Sequence, residues 1–132
     1  MTRYLTLLIG SLALLLLNAS GELGEETRKA MYDAKHVGLA CRTYAIENGG
    51  DFPPTLDALF PDYITLKTES LIYKKTGNEK VNRWTYLGKA LTELSTGDKI
   101  VLRSKDLFEG KHIIVRVEGS VSREAPPSRG QN

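Results

Sequence analysis

A stretch of helical periodicity between Glu22 and Asn48 constrains the fold of this chain more than any other feature. Small or apolar side chains recur there every three or four residues, and this spacing places them on one face of a helix. The Asn48-Gly49-Gly50 sequence predicts the end of the helix, because these residues tolerate left-handed backbone angles. Such a helix is about 40 Å long, so the rest of the chain must cover its apolar face. The predicted buried face consists of Ala30, Ala34, Val37, Cys41, Tyr44 and Asn48, flanked by Met31, Leu39 and Ala45.

Charged residues of the same stretch fall largely outside that face. Glu22, Glu25 and Glu26 crowd the start of the helix, where the positive end of the helix dipole favours acidic side chains. The charges predicted to face solvent along the rest of the helix are Arg28, Lys29, Asp33, Lys35 and Arg42. The pattern therefore predicts one buried stripe and one charged surface.

Residues 51–64 form the link to the second half of the chain. Two consecutive prolines prevent the long helix from continuing. Thr55 is placed to cap a short turn from Leu56 to Phe60, which Pro61 ends. A link with so many large apolar residues should lie on the core. Its predicted anchors are Phe52, Leu56, Leu59, Tyr63 and Ile64.

Four short segments in the second half have the β-branched, aromatic or alternating composition typical of strands. Turn signals that contain glycine lie between or after them, as in hairpins. We therefore expect an α+β fold in which the long helix packs on a small antiparallel sheet of three to four strands. The predicted strands are Leu71–Lys74, Arg83–Leu87, Lys99–Arg103 and His112–Val117, and the predicted turns are residues 76–78, 108–111 and 118–120.

Trp84 and Tyr86 lie two residues apart and so share one face of their predicted strand. An alternating aromatic pair is typical of the face by which a sheet packs on a helix, and this is the interpretation we favour. The alternative is an exposed aromatic face that binds a ligand.

The first 21 residues have the organisation of a secretory signal. Arg3 gives a positive start, residues 5–17 are almost wholly apolar, and small residues precede a cleavage site after Gly21. A helix that crosses a bilayer needs roughly 20 apolar residues, so this shorter run favours a cleaved signal over an uncleaved membrane anchor. We expect export to the periplasm or the outside of the cell, a folded domain over residues 22–123, and a disordered tail over residues 124–132 that lacks large apolar residues.

The charge of the chain makes nucleic acid an unexpected partner. The formal net charge is +2, and the chain without its first 21 residues contains 17 basic and 16 acidic residues. Binding to a phosphate backbone needs clustered Lys and Arg, which such a balanced composition does not supply.

The sequence also gives no reason to expect an enzyme or a cofactor. His36 and His112 are far apart in the chain, and neither belongs to a cluster with metal-ligand spacing. Cys41 falls on the apolar stripe of the helix, where a buried thiol is a core residue. Without a convergent set of titratable residues, the sequence identifies no catalytic residue and no small-molecule substrate.

Two segments carry a resemblance to a known family. Val37–Ala45 reads VGLACRTYA, and Glu47–Leu59 reads ENGGDFPPTLDAL. Together they resemble the helix and following loop of type II secretion pseudopilins and related prepilin-type proteins of the Planctomycetes and Verrucomicrobia. The strand and turn over His112–Val121 are similar to the closing strand of that family. The resemblance covers roughly residues 30–122 and implies a pilin-like fold.

The resemblance also implies a role, with one departure. Family members assemble through an apolar N-terminal half of the helix, which follows a short leader and carries a Glu. Here Gly10 precedes Ser11 with no such Glu, and Gly21 precedes the polar Glu22. We therefore expect a pilin-like domain that is delivered by ordinary export and that contacts membrane only if its N-terminal segment stays uncleaved.

Some pseudopilins bind calcium in the loops of the sheet. The carboxylates available for that here are Asp98, Asp106 and Glu109, but their spacing matches no dedicated oxygen-ligand loop, so we assign no metal site.

The expected function is that of a structural or interaction module of the cell envelope with protein partners, and the resemblance implies an association with type II secretion. The alternative is a periplasmic or extracellular module that binds a peptide or glycan. That alternative requires an exposed aromatic or apolar patch on the sheet.

Overall fold

The computed structural model describes residues 22–128. The predicted signal peptide lies outside this range, as do residues 129–132 of the predicted tail. Within the described range, no helix combines the length and the apolar character needed to cross a bilayer.

The described residues contain one α-helix and two antiparallel sheets. The helix α1 spans Glu25–Glu47. A two-stranded sheet follows, then a four-stranded sheet in the order β3-β4-β5-β6, in which every neighbouring pair is antiparallel. The predicted mixed α and β class is thus confirmed. The strands are β1 Tyr73–Thr76, β2 Glu79–Asn82, β3 Trp84–Tyr86, β4 Ile100–Ser104, β5 His112–Arg116 and β6 Val121–Glu124, and 3-10 turns span Leu56–Leu59, Leu66–Leu71 and Gly88–Ala90.

Both ends of α1 follow from local chemistry. The helix starts at Glu25, three residues later than predicted, because the N-cap Gly24 has an extended backbone. At the other end, Gly49 and Gly50 have φ of 73° and 94°, in the left-handed region that glycine tolerates. The amide of Gly50 donates to the carbonyl of Ala45 at 2.7 Å, which closes the last turn.

One face of α1 packs on the four-stranded sheet. Ala34, Val37 and Cys41 are fully buried there, as the spacing predicted. The approach is closest at Gly38, where an added Cβ would lie 2.7 Å from Cγ1 of Val115 in β5. Real Cβ atoms do not come that close, so this position needs glycine for the helix to reach the sheet.

Three residues differ from the prediction. Leu39, predicted to flank the buried face, is 62% exposed, and Asp33, predicted to face solvent, is buried. Asn48, predicted on the buried face, is exposed because it lies at the C-cap, where its Nδ2 donates to the carbonyl of Tyr44 at 2.8 Å. At about 100° per residue, Leu39 projects opposite to the centre of the buried stripe, which the flanking assignment overlooked. Asp33 lies at the edge of that stripe, where a cation from the second half of the chain pairs with it.

The link between helix and strands lies on the core, as predicted. Phe52, Leu56, Leu59 and Ile64 are buried, and Tyr63 packs against the same cluster. Thr55 precedes the short turn but makes no capping hydrogen bond through its side chain, so its predicted capping role is wrong. Here the apolar anchors, not a cap, fix the loop.

The hairpin formed by β1 and β2 is a separate small sheet. The predicted strand Leu71–Lys74 overlaps β1 at Tyr73 and Lys74, because Leu71 ends a 3-10 turn. The turn after β1 was predicted, but β2 was not. That strand reads Glu-Lys-Val-Asn, and its polar residues lack the β-branched and aromatic character of a recognisable strand. At the other end of the fold, β6 was not predicted as a strand either, and it ends at Glu124, which was predicted as the first residue of the tail.

Candidate functional site

The aromatic pair of β3 belongs to the core. Trp84 is buried, and its indole Nε1 donates to the carbonyl of Leu71 at 2.7 Å. Tyr86 is half-buried, and its hydroxyl donates to the carbonyl of Pro53 at 2.5 Å. Burial raises the pKa of Tyr86 above its ordinary value. The interpretation as a packing face is therefore confirmed, and the alternative of an exposed aromatic face is wrong.

The opposite face of the four-stranded sheet is largely polar. Ile114 pairs with Arg103 on one side and with Ser122 on the other, so these side chains share that face. Ile114 is nonetheless fully buried. The guanidinium of Arg116, on the same face, donates to the hydroxyl of Ser122 at 2.8 Å. This arrangement leaves no exposed apolar platform at that position.

A charged cleft of about 770 Å³ lies between the N-terminal half of α1, the hairpin and the β4–β5 turn. Its lining combines acidic and basic side chains with a few apolar ones. The acidic residues are Glu26, Asp33, Glu69 and Asp106, and the basic ones are Lys29, Lys74, Lys75, Lys80 and Arg83.

Most of the charged side chains in this cleft form ion pairs with one another. Lys74 contacts Asp106 at 2.7 Å, and Lys80 contacts Glu69 at 2.8 Å. These pairs are partly exposed to water, so each one contributes little to stability. Their effect is to tie the hairpin to its surroundings and to neutralise the cleft.

The pair between Asp33 and Arg83 is the buried one. Nη1 of Arg83 lies 3.0 Å from Oδ2 of Asp33, and the two side chains are only 17% and 8% exposed. The same nitrogen donates to the carbonyl of Ser70 at 2.7 Å, and the guanidinium lies over the ring of Trp84. Arg83 thus joins the helix to the segment before the hairpin. Sequence reasoning missed this pair because its members are 50 positions apart.

The three carboxylates considered for calcium have separate structural roles. Asp106 pairs with Lys74, and a hydrogen bond from Thr96 lowers the pKa of Asp98. Glu109 accepts a hydrogen bond from the amide of Gly24 at 3.2 Å. Among residues 22–128, no three His, Cys, Asp or Glu side chains come together in a group that could hold a metal ion.

Glu109 caps the helix from a distant turn. With Gly110 it forms the two-residue turn that the Phe108–Lys111 bridge closes within the β4–β5 connection, and both residues have positive φ, of 51° and 80°. Hydrogen bonds from Thr27 and from the amide of Gly24 hold the pKa of Glu109 below its ordinary value. A carboxylate at this position also suits the positive end of the helix dipole. The predicted hairpin turn is confirmed, and it carries the N-terminal cap that α1 lacks locally.

The two histidines and the cysteine lie apart from one another in environments that suit structural roles. His36 is exposed on α1 and contacts Tyr32, with ring centroids 4.5 Å apart and the two rings tilted by 56°. Nδ1 of His112 lies 2.7 Å from the carbonyl of Ser104. Cys41 is fully buried, and burial raises the pKa of its thiol to about 12. Since the thiolate is the reactive species, Cys41 is unsuited to act as a nucleophile in the folded protein.

The outer face of α1 is the surface with the most unusual exposure. Tyr32, Leu39 and Ile46 are 64%, 62% and 68% exposed, although all three are large apolar side chains. They lie seven residues apart and therefore form one line along the helix. We call these three residues the outer stripe. Its spacing is visible in the sequence, but the assignment of Leu39 to the buried face hid it.

Cations flank the outer stripe along one side, where Arg28, Lys35 and Arg42 recur every seven residues. On the other side, Lys29 pairs with Asp33 at 3.4 Å. Between Arg28 and Ile46, Asp33 is the only acidic residue, and its side chain is buried in ion pairs. The outer face of α1 between these two residues is consequently apolar, with positive charge along one side.

The chain matches no protein-family model, no curated protein and no solved structure.

Proposed function

We propose that this chain is an exported, pilin-like structural or interaction module of the bacterial cell envelope, associated with a secretion or surface assembly. Its partners are proteins, which it contacts through the outer face of α1. The module has no catalytic chemistry of its own.

The packing of α1 on the four-stranded sheet supports the pilin-like part of the proposal. The resemblance implies a helix whose C-terminal half packs on an antiparallel sheet, with a loop between them. Here the segment from Val37 to Ala45, which carries the resemblance, holds the close contact at Gly38. The similar loop that follows is anchored in the core by Phe52 and Leu56.

The outer stripe is the observation that carries the interaction role. Burying a large apolar side chain is worth roughly 1.5–3 kcal/mol. A partner that covers the three exposed side chains therefore gains binding free energy from their burial. Four of the described carboxylates, in contrast, are used within the fold: Asp33, Glu69 and Asp106 pair with cations, and Glu109 caps the helix.

The alternative function, a module that binds a peptide or glycan through its sheet, receives less support. It needs exposed aromatic side chains on the sheet, whereas Trp84 is buried and Tyr86 hydrogen-bonds within the core.

Cell fractionation combined with N-terminal sequencing tests the proposal. The chain is produced in a bacterium with a C-terminal tag and recovered from the cytoplasm, the membrane, the periplasm and the medium. We expect a mature form that starts at Ser20 or Glu22 in the periplasm or the medium. A chain that starts at Gly10 or Ser11 and sits in the membrane supports a tethered module instead.

A pair of variants makes this test specific. Leu14→Arg interrupts the apolar run of the signal and should leave the full-length chain in the cytoplasm. Leu94→Arg changes an exposed leucine of the domain and should leave export unchanged. If the unaltered chain remains in the cytoplasm with Met1 or Thr2 at its start, the proposed export is wrong.

A further inference from the structure

We propose that the outer face of α1 docks an amphipathic helix of a partner protein, one that carries carboxylates along one side of its own apolar line. This inference deepens the proposed function by naming the chemistry of the partner. It depends on three features of α1: the spacing of the outer stripe, the sign of its flanks and the width of its apolar surface.

The spacing of the outer stripe fits another helix. Tyr32, Leu39 and Ile46 recur at intervals of seven residues, which is about 10.5 Å along the helix axis. Side chains seven residues apart keep to one side of a helix, so a second helix lying along α1 contacts all three. The line is one side chain wide. A helix that inserts into a lipid surface needs a broader apolar face, so the narrow stripe favours a protein partner over a membrane.

The flanks define the charge of that partner. Arg28 and Lys35 form no ion pair within residues 22–128, and the side chain of Arg42 donates to the carbonyl of Glu118 and not to a carboxylate. Cations beside a helical seam select partners with acidic residues at the facing positions and repel basic ones. The partner helix therefore presents Asp or Glu beside its apolar line.

A second copy of this chain is a poorer occupant because like charges would then face one another. Antiparallel pairing of two outer faces brings Lys35 and Arg42 of one chain towards the same cations of the other. The contact area is the same for both occupants, since α1 is about 35 Å long and a helix face is about 10 Å wide, which gives about 700 Å² in total. This area is below the 1,200 Å² or more that a stable dimer buries, and it suits weak, exchangeable docking.

Two designed helical peptides provide the probe. Each contains three heptads with leucine along one line, and they differ only at the flanking positions, which are Glu in one peptide and Lys in the other. The peptides are titrated into the purified, isotope-labelled protein, and the backbone amide shifts are followed by NMR. We expect the Glu peptide to shift the amides around Tyr32, Leu39 and Ile46 and to bind at least about tenfold more tightly than the Lys peptide. Added salt should reduce this difference.

Matched variants separate the docking face from the rest of the surface. Leu39→Glu should weaken the Glu peptide by about tenfold or more, because it removes an apolar contact and adds a like charge. Leu94→Glu, at a loop leucine that is 90% exposed, should leave binding unchanged. Changing Arg28, Lys35 and Arg42 together to Glu should invert the preference and favour the Lys peptide. All the substituted side chains are exposed, so we expect the variants to fold, and dispersed amide spectra check this.

Three outcomes contradict the inference. One is equal binding of the two peptides, and another is binding that Leu39→Glu does not affect. The third is binding of the protein to vesicles with anionic headgroups, dependent on Leu39, without binding of the Glu peptide, since this identifies a lipid surface as the occupant. Export and peptide binding are measured separately, so a cytoplasmic chain that still binds the Glu peptide overturns the proposed function and leaves this inference standing.

Discussion

The four-stranded sheet and the hairpin side of the molecule, residues 66–83, contact the same helix in different ways. On the sheet side, Val37, Gly38 and Cys41 meet an apolar surface at close range. On the hairpin side, the main connection to the helix is the ion pair between Asp33 and Arg83. Apolar packing tolerates little change in shape, whereas a charged pair depends on both partners being present. Different kinds of mutation should therefore destabilise the two sides.

The largest effect is expected on the sheet side from Val37→Asp. Val37 is fully buried, so the new carboxylate has no water and no partner. We expect the free energy of unfolding to fall by about 2–4 kcal/mol, measured by urea denaturation. Lys35→Asp, two residues away on the exposed face, is the control and should change it little. An unchanged denaturation midpoint for Val37→Asp would show that the wrong face of the helix has been assigned to the core.

The hairpin side should respond to Asp33→Ala. Removing this carboxylate leaves the guanidinium of Arg83 with the carbonyl of Ser70 as a remaining partner, so we expect a loss of about 1.5–3 kcal/mol in urea denaturation. Glu69→Ala breaks the partly exposed pair with Lys80 and should cost less than about 1 kcal/mol. Equal losses for the two variants would contradict the distinction between the buried pair and the exposed one.

A size change at the helix–sheet contact sharpens the comparison. Gly38→Ala adds a Cβ that collides with Val115, and this outweighs the helix propensity gained from alanine. We expect a net loss of about 1–2 kcal/mol in the free energy of unfolding. In the background of Val115→Ala, which removes the colliding Cγ1, Gly38→Ala should become neutral or stabilising. An additive double variant would mean that the two residues are not in contact.

The smallest effect is expected at Glu109, in the turn that caps α1. Its pKa is lowered from an ordinary 4.5, so its charged form stabilises the fold above that pH, and the contribution is lost as the pH falls through the folded pKa. Glu109→Gln should lower the thermal midpoint at neutral pH by less than Asp33→Ala does. The gap between this variant and the unaltered chain should close in acid. A gap that does not depend on pH would exclude the carboxylate charge as its cause.

The sequence was sufficient for the features that depend on local spacing. The buried stripe of α1, its glycine-rich end, the anchored loop and most of the four-stranded sheet follow from apolar periodicity and turn residues. The pairing of Asp33 with Arg83 and the capping of Gly24 by Glu109 were not predictable, because they join residues 50 and 85 positions apart. Strand β2 was missed because its partner β1, and not its own composition, makes it a strand.

The outer stripe shows a different limit of sequence reasoning. Its spacing of seven residues is plain in the printed sequence, yet an apolar side chain near a buried stripe is easily assigned to the core. Only the packed helix shows that Leu39 projects away from the sheet. The surface on which the proposed function depends is therefore a consequence of how α1 is rotated on the sheet.

Alkylation of cysteines along α1 tests that rotation most directly. The native Cys41 is fully buried with a thiol pKa of about 12, so it should react with iodoacetamide only when the chain unfolds. In the background of Cys41→Ala, Leu39→Cys should react in the folded protein at the rate of a free thiol, and Val37→Cys should stay protected. Rapid labelling of native Cys41, or protection of Leu39→Cys, would contradict the central claim that one face of α1 closes the core while the opposite face stays open to a partner.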